Sequence, residues 1–160
     1  MSNPSKSSSL KITVICFLML FMAFALPKLS NAQSTRPVFN HAALCAKNLK
    51  KTADFYRNVI ELQEIHHPFN DTVHVWLKIG EGLALHIIKG DCSPGPHDVG
   101  IHICFSVPSL EAFIKHLDEM KVPYFNWGKE QSKVQLRADG VKQIYVQDPD
   151  GFWVEINDAK

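Results

Sequence analysis

Two stretches of the chain repeat one order of hydrophobic and polar positions. Residues 39–46, 63–67, 72–80 and 82–90 read as short strands, and 48–62 reads as a helix inserted after the first of them. In that helix Leu49, Ala53, Tyr56, Val59 and Ile60 fall on one face, with Asn48 placed to cap its start. A Pro- and Gly-bearing linker over 91–99 follows. The order then recurs: a strand at 100–107, a helix at 108–122 with Ser109 as N-cap, and strands around 124–127, 134–136 with 144–147, and 151–157. At an offset of 61, His41 aligns with His102, Leu44 with Phe105 and Leu49 with Leu110. The pattern predicts an α+β protein of two βαβββ modules, one over 39–90 and the other over 100–158.

Side chains alternate across a strand, and that alternation isolates four residues. His41 shares a face with Ala43 and Cys45, and His102 with Cys104 and Ser106. Ile101, Ile103, Phe105 and Val107 point the other way. His86 stands four residues after Gly82, and Glu155 four after Gly151, each in an apolar strand. Each module therefore carries one strongly apolar face for its helix, and one mixed face bearing a ligand-type side chain on its first and last strands. A carboxylate between Val154 and Ile156 is costly to bury without a partner. Three imidazoles and one carboxylate suit a divalent ion such as Zn, Ni, Co, Fe or Mn. His41, His86, His102 and Glu155 are the expected ligands. Trp153, Tyr145 and Gln143 follow the same alternation, and with Cys45 and Cys104 they are the candidates for substrate contact. His66, His67 and His74 form a further group, read either as a second metal patch or as exposed strand and turn residues. Trp76, Trp127 and Trp153 either line a cavity or fill the core, with Trp153 favoured for the cavity by the face it shares with Glu155.

Composition changes this picture in one place. The net charge of +1 is carried by the first 32 residues, which hold Lys6, Lys11 and Lys28 and no acid. The rest has 14 basic and 16 acidic residues, net −2, and gives no reason to expect nucleic acid or an anionic membrane as partner. An apolar run of 15 residues over 12–26, followed by Pro27 and by Ser30 and Ala32 at the −3 and −1 positions, predicts a secretion signal cut after Ala32. The expected products are a signal at 1–32, a short leader at 33–38 and one secreted or periplasmic domain at 39–158, off the membrane once the signal is removed. That domain keeps Cys45, Cys92 and Cys104, with no CxxC spacing. This excludes a disulfide-stapled scaffold and a four-Cys zinc site, and leaves open whether any pair joins.

The segments "NHAALCAKNLKKTADFYRNVIEL", "GIHICFSV" and "DPDGFWVEI" resemble the vicinal oxygen chelate superfamily of glyoxalase I, bleomycin- and fosfomycin-resistance proteins, methylmalonyl-CoA epimerase and extradiol dioxygenases. The marks are the Phe55–Tyr56 pair and the Asp148 to Gly151 turn with Glu155 beyond it. The resemblance implies a mixed sheet curled around a metal-centred cavity with the helices packed outside. The cavity is enclosed either by one chain or across a homodimer, often by swapped modules. His41, His102 and Glu155 match three shared ligand positions. His86 matches the fourth, where glyoxalase I has Glu. The implied chemistry is a lyase or isomerase reaction on a small oxygen-chelating substrate, with Glu155 moving the proton. Other positions depart from glutathione-dependent glyoxalase I: Cys45 stands where that enzyme has a glutathione-gripping Arg, and Gly90 where it has Asn. No Arg follows Glu155 as in fosfomycin resistance. A non-catalytic binding protein and an extradiol-type dioxygenase, using His41, His102 and Glu155, are the alternatives. A cupin is disfavoured because the HxH pair that fold needs is missing.

Overall fold

A computed structural model describes residues 35–69, 71–92, 95 and 97–160. The secretion signal and cut expected at 1–32 lie outside these residues. Residues Phe39–Lys160 form one compact unit.

The first module runs β1 (His41–Ala46), α1 (Leu49–Asn58), β2 (Glu64–Ile65), β3 (His74–Gly80) and β4 (Leu83–Lys89). The second runs β5 (His102–Ser106), α2 (Leu110–Glu119), β6 (Tyr124–Phe125), β7 (Gln135–Leu136), β8 (Lys142–Gln147) and β9 (Trp153–Asn157). The sheets have equivalent orders, β1-β4-β3-β2 and β5-β9-β8-β6, with β7 on β8. In each, the first and last strands pair in parallel and the others antiparallel. This is the expected double βαβββ order, in two mixed sheets that are curled but not closed.

Both helices begin at the anticipated caps: Asn48 Oδ1 accepts from the Lys51 amide and Ser109 Oγ from the Ala112 amide, each at 3.1 Å. Both end earlier than their apolar runs. Glu61 and Lys121 adopt φ of 62° and 57°. The chain wraps back so that the Leu62 amide reaches the Tyr56 carbonyl and the Val122 amide the Leu117 carbonyl. Leu62 and Val122 thus join the core from outside the helix. Ile101, expected on the apolar face of β5, lies instead in the turn before it and is 71% exposed.

One core cluster spans both modules. It holds Phe55 and Tyr56 of α1, Leu77, Leu85 and Ile87 of the first sheet, Leu110, Phe113 and Leu117 of α2, and Ile144, Val146, Val154 and Ile156 of the second. The joint is polar as well as apolar. Asp150 accepts from the Lys47 amide at 2.9 Å and from Thr52 Oγ1 at 2.5 Å. Asp148 accepts from Tyr56 O–H at 3.2 Å and from the Phe152 and Asp150 amides at 2.8 and 2.9 Å. So the DPDG turn of the second module seats the helix of the first. Burial pushes the Asp148 carboxyl up, and this outweighs the amide hydrogen bonds that lower it. Burial, then Asp148 itself, pushes the Tyr56 phenol well up.

Cys45 and Cys92 form a disulfide with Cα atoms 5.7 Å apart. It ties the start of the linker to the end of β1. Further on, the Gly95 amide donates to Asp150 O and the His97 amide to Gly151 O. A Cβ on Gly95 would lie 2.6 Å from Gly151 Cα, so only glycine permits that approach.

Candidate functional site

With the apolar side of each sheet turned to the helices, the other side displays the ligand-type residues. The two modules use it differently.

On the first module, β1, β4 and β3 present a ladder of three flat rings. His41 and His86 stack with centroids 4.3 Å apart and planes within 8°. His86 and Trp76, directly paired across β4 and β3, stack at 3.8 Å and 9°. The rings form one wall of an open cavity of about 720 Å³, also lined by Phe69, His66, His74 and Lys78. His41 Nδ1 is 2.8 Å from Asn40 Oδ1, and His74 Nδ1 is 2.7 Å from Asp71 Oδ2. Burial, followed by the nearby His41 and His74, holds His86 below its ordinary value. Trp76 Nε1 and His67 Nδ1 are buried with no hydrogen-bond partner among the described residues. A donor left in that state costs about 1–3 kcal/mol.

On the second module the same side is filled. Glu155 is only 5% exposed and is surrounded by donors. Tyr145 O–H donates to Oε2 at 2.6 Å, Asn157 Nδ2 to Oε1 at 2.9 Å, and Cys104 Sγ lies 3.3 Å from Oε1. Gln143 Nε2 donates to the Tyr145 oxygen at 2.8 Å, fixing the phenol. Burial pushes the Glu155 carboxyl up, but the hydrogen bonds from Tyr145, Asn157 and Cys104, with His102 nearby, outweigh it and leave it below its ordinary value. Burial and then Glu155 raise Tyr145, and push the Cys104 thiol up to about 12, so both stay protonated at neutral pH. Trp153 is 4% exposed, packs with Val99, Tyr145 and Phe125, and donates from Nε1 to His97 O at 3.0 Å.

His102 completes this side. Its Nδ1 is 2.8 Å from the Val99 carbonyl, and Nε2 is 3.3 Å from Glu155 Oε2. A carbonyl can only accept, so Nδ1 carries the proton. Nε2 then faces a carboxylate oxygen, either with its lone pair or as a second N–H donor. A proton or a cation shared by the two makes that approach favourable, and Arg137 Nη1, 3.8 Å from Oε1, adds a positive charge beside the carboxylate. Donors 3.3 Å apart also match neighbouring ligands of one ion with bonds of about 2.0–2.2 Å.

The four expected ligands are thus brought together as two pairs, His41 with His86 and His102 with Glu155. Among the described residues no three His, Cys, Asp or Glu side chains gather into a set able to hold a metal. The His66, His67 and His74 group makes no such set either. Of the substrate-contact candidates, Tyr145, Gln143 and Cys104 sit in the Glu155 network, Trp153 is in a small core, and Cys45 is in the disulfide. Sequence reasoning missed Asn157, although it follows Glu155 by two and so shares its face. It also missed the Val99 carbonyl, for which the sequence carries no signal.

A two-module βαβββ fold bearing ligand-type residues on the first and last strands of each module defines the vicinal oxygen chelate class. The chain belongs to the Glyoxalase/Bleomycin resistance protein/Dioxygenase superfamily, whose family model matches residues 38–156. It is 28% identical over 127 residues to Glyoxylase I 4 of Arabidopsis thaliana, spanning 73% of this chain and 68% of the relative. It is 26% identical over 154 residues to a lactoylglutathione lyase of Pseudomonas putida, spanning 74% and 83%. Solved structures share the fold: a glyoxalase family protein from Bacillus anthracis (TM-score 0.63, 20% identity, 80% of this chain and 99% of that one) and the oxidase ChaP-H2 (0.63, 19%, 78% and 94%). At these identities the structures speak for the fold alone.

Proposed function

We propose that the chain is a metal-dependent, glyoxalase-like lyase or isomerase acting on a small oxygen-chelating substrate, and that its site is completed by two copies of the chain. The observation that carries this is the approach of His102 Nε2 to Glu155 Oε2, which leaves a place for a cation. One module supplies His102 and Glu155. The other two ligands, His41 and His86, are on the first module and do not join them within one chain. A second copy, placing its first module over the second module of its partner, assembles all four.

In this reading the ion supplies a Lewis acid for two neighbouring substrate oxygens. The protein's own groups do the rest. Glu155 accepts the proton moved in the reaction, at the Oε atom it frees when substrate enters. Tyr145, held by Gln143, and Asn157 keep the carboxylate oriented and ionised. Trp127, 47% exposed and edge-on to both His102 and Tyr145, borders the Glu155 side and limits water there. Glutathione is a poor fit as co-substrate, because Cys45, at the position of the family's glutathione-gripping Arg, is tied to Cys92. The same disulfide suits export to an oxidising compartment, in keeping with the signal read at 1–32.

The test mixes chains. H41A/H86A and H102A/E155A, each alone, should lose the one divalent ion per chain found by elemental analysis of the parent. They should also lose turnover across a panel of hemithioacetals, catechols and acyl thioesters. Equal amounts dissociated and reassociated should regain about a quarter of the ion, because half the dimers are mixed and each mixed dimer rebuilds one of its two sites. Full ion content in either variant, or none after mixing, overturns the shared site. A non-catalytic binding protein is the second reading, favoured by the open first-module cavity. In that case the His102–Glu155 contact is an imidazolium ion pair, and the parent chain carries no ion.

A further inference from the structure

We propose that His74, set by Asp71, is a second proton-transfer residue of the site, moving an oxygen-bound proton of the substrate while Glu155 moves the carbon-bound one. This deepens the function proposed above and rests on it for the ion and for Glu155. The His74–Asp71 pair itself stands on separate observations.

His74 is the first residue of β3, and Asp71 stands three residues ahead of it. Asp71 Oδ1 accepts from the Val73 and His74 amides at 2.9 and 3.1 Å, and Oδ2 is 2.7 Å from His74 Nδ1. Two amides and the ring thus fix the carboxylate. The Val73 amide, and after it His74, hold the carboxyl below its ordinary value against the raising effect of burial, so it is ionised at neutral pH. An ionised carboxylate only accepts, so the bond keeps a proton on Nδ1 whether the ring is neutral or charged. Exchange is left to Nε2. That atom makes no hydrogen bond among the described residues, and the side chain is 22% exposed. The ring lines the first-module cavity.

The strand register puts this ring beside the proposed ligands without making it one of them. His74 pairs with Ile88 and Trp76 with His86, so His74 is the diagonal neighbour of His86 on one face, at roughly 7–8 Å. The other titratable groups about it are His66, His67, Lys78, His41 and His86, and Lys78 is taken by Glu81. Asp71 is the one carboxylate bonded to His74 among the described residues. Isomerising a 2-hydroxycarbonyl compound moves two protons, one between adjacent carbons and one between the oxygens they carry. The electron pair of the broken C–H bond ends in the new C–H bond, so one carbon is oxidised, its neighbour is reduced, and no outside oxidant is needed. One carboxylate cannot hold both protons at once. Glu155 carries the first. His74 Nε2 takes the second from the hydroxyl and returns it to the former carbonyl oxygen, while its Nδ1–H stays on Asp71.

The test uses the full chain. Without metal, nitrogen-edited NMR at about pH 8, where an ordinary imidazole is neutral, should show the His74 proton on Nδ1, assigned with H74Q. D71N should move it toward Nε2. With metal, the probe is the hemithioacetal of methylglyoxal and 2-mercaptoethanol. H74Q should lower kcat about a hundredfold or more, with KM within about threefold and the one ion per chain retained. D71N should lower kcat about tenfold. Added imidazole should raise the rate of H74A at least about tenfold, which a residue that only braces the turn would not allow. A parent chain with the His74 proton on Nε2 overturns the pair, and this measurement stands even where a variant misfolds. An active parent matched by H74Q, an H74A that imidazole leaves unchanged, or a parent that turns over catechols or acyl thioesters but not the hemithioacetal overturns the role of His74 and keeps the enzyme. A parent inactive across the panel overturns the enzyme and this role with it.

Discussion

The outward faces of the two modules descend from one pattern, yet one is hollow and the other is full. The first carries stacked His41, His86 and Trp76 beside an open cavity. The second carries Glu155 buried among donors, with exposed Cys104 and Arg137 at its rim and Trp153 buried next to it. The difference is made by the linker. His97 stacks on Phe152 at 3.9 Å and its carbonyl accepts from Trp153, while the Val99 carbonyl accepts from His102. Nothing equivalent crosses the first module among the described residues. A repeated fold can thus give one copy a rigid, prearranged carboxylate and leave the other free to admit a ligand. Such a division suits a site in which one half holds charge and the other holds shape.

The largest expected effect tests that division directly. Trp153→Ala removes a fully packed indole and a hydrogen bond, and should cost about 3–5 kcal/mol in urea unfolding. Trp76→Ala, on the hollow face, should cost only about 1–2 kcal/mol. Equal costs would mean that both faces are core. Next comes the disulfide. Its sequence separation of 47 gives a loop-entropy contribution of roughly 4 kcal/mol, and C45S/C92S should lose about 2–4 kcal/mol. Because the bond anchors the linker, the variant should also exchange the Trp153 indole N–H faster, while the first-module core amide of Leu85 changes less. Uniform acceleration across both modules would show that the bond stabilises the whole chain and not the linker cover.

How far these contrasts could be read from sequence varies by element. The helix starts were legible because Asn48 and Ser109 are strong local caps. The ends were not, since Glu61 and Lys121 take a left-handed conformation that neither residue type advertises. The four ligand-type residues were legible as polar groups alternating within apolar strands. Their division into two pairs was not. It depends on how Asp148 and Asp150 seat Tyr56, Thr52 and Lys47, contacts about a hundred residues apart in the chain. Alternation put Trp76 and Trp153 equally on outward faces. Which of them lines a cavity depends on whether the linker covers the strand. With three cysteines the pairing was open, and only the 5.7 Å approach of Cys45 and Cys92 decides it.

A smaller effect probes the full face alone. Tyr145→Phe deletes the O–H that donates to Glu155 and the oxygen that accepts from Gln143. Thermal and urea melts should show a loss of about 1–3 kcal/mol, the cost of stranding buried polar groups. Lys78→Gln, at the rim of the hollow face, should stay within about 0.5 kcal/mol. If the two losses match, the Glu155 network is solvated and not a rigid half-site.

The smallest effect lies at the joint that both faces share. Asp148→Asn keeps the size of the side chain and should cost about 1 kcal/mol through weaker acceptance from Tyr56 and the turn amides. Its signature is pH. Burial raises the Asp148 carboxyl, so the folded chain binds that proton more readily than the unfolded chain, whose aspartates titrate near roughly 3.9. The wild-type contribution is therefore fully present below the unfolded value and is lost as pH rises through the higher, folded one. The asparagine does not titrate. The stability gap between wild type and Asp148→Asn should be widest at about pH 4 and should narrow toward pH 7, measured by urea unfolding at matched ionic strength. A gap that widens toward neutrality would mean that the amides of Asp150 and Phe152 hold the carboxyl ionised.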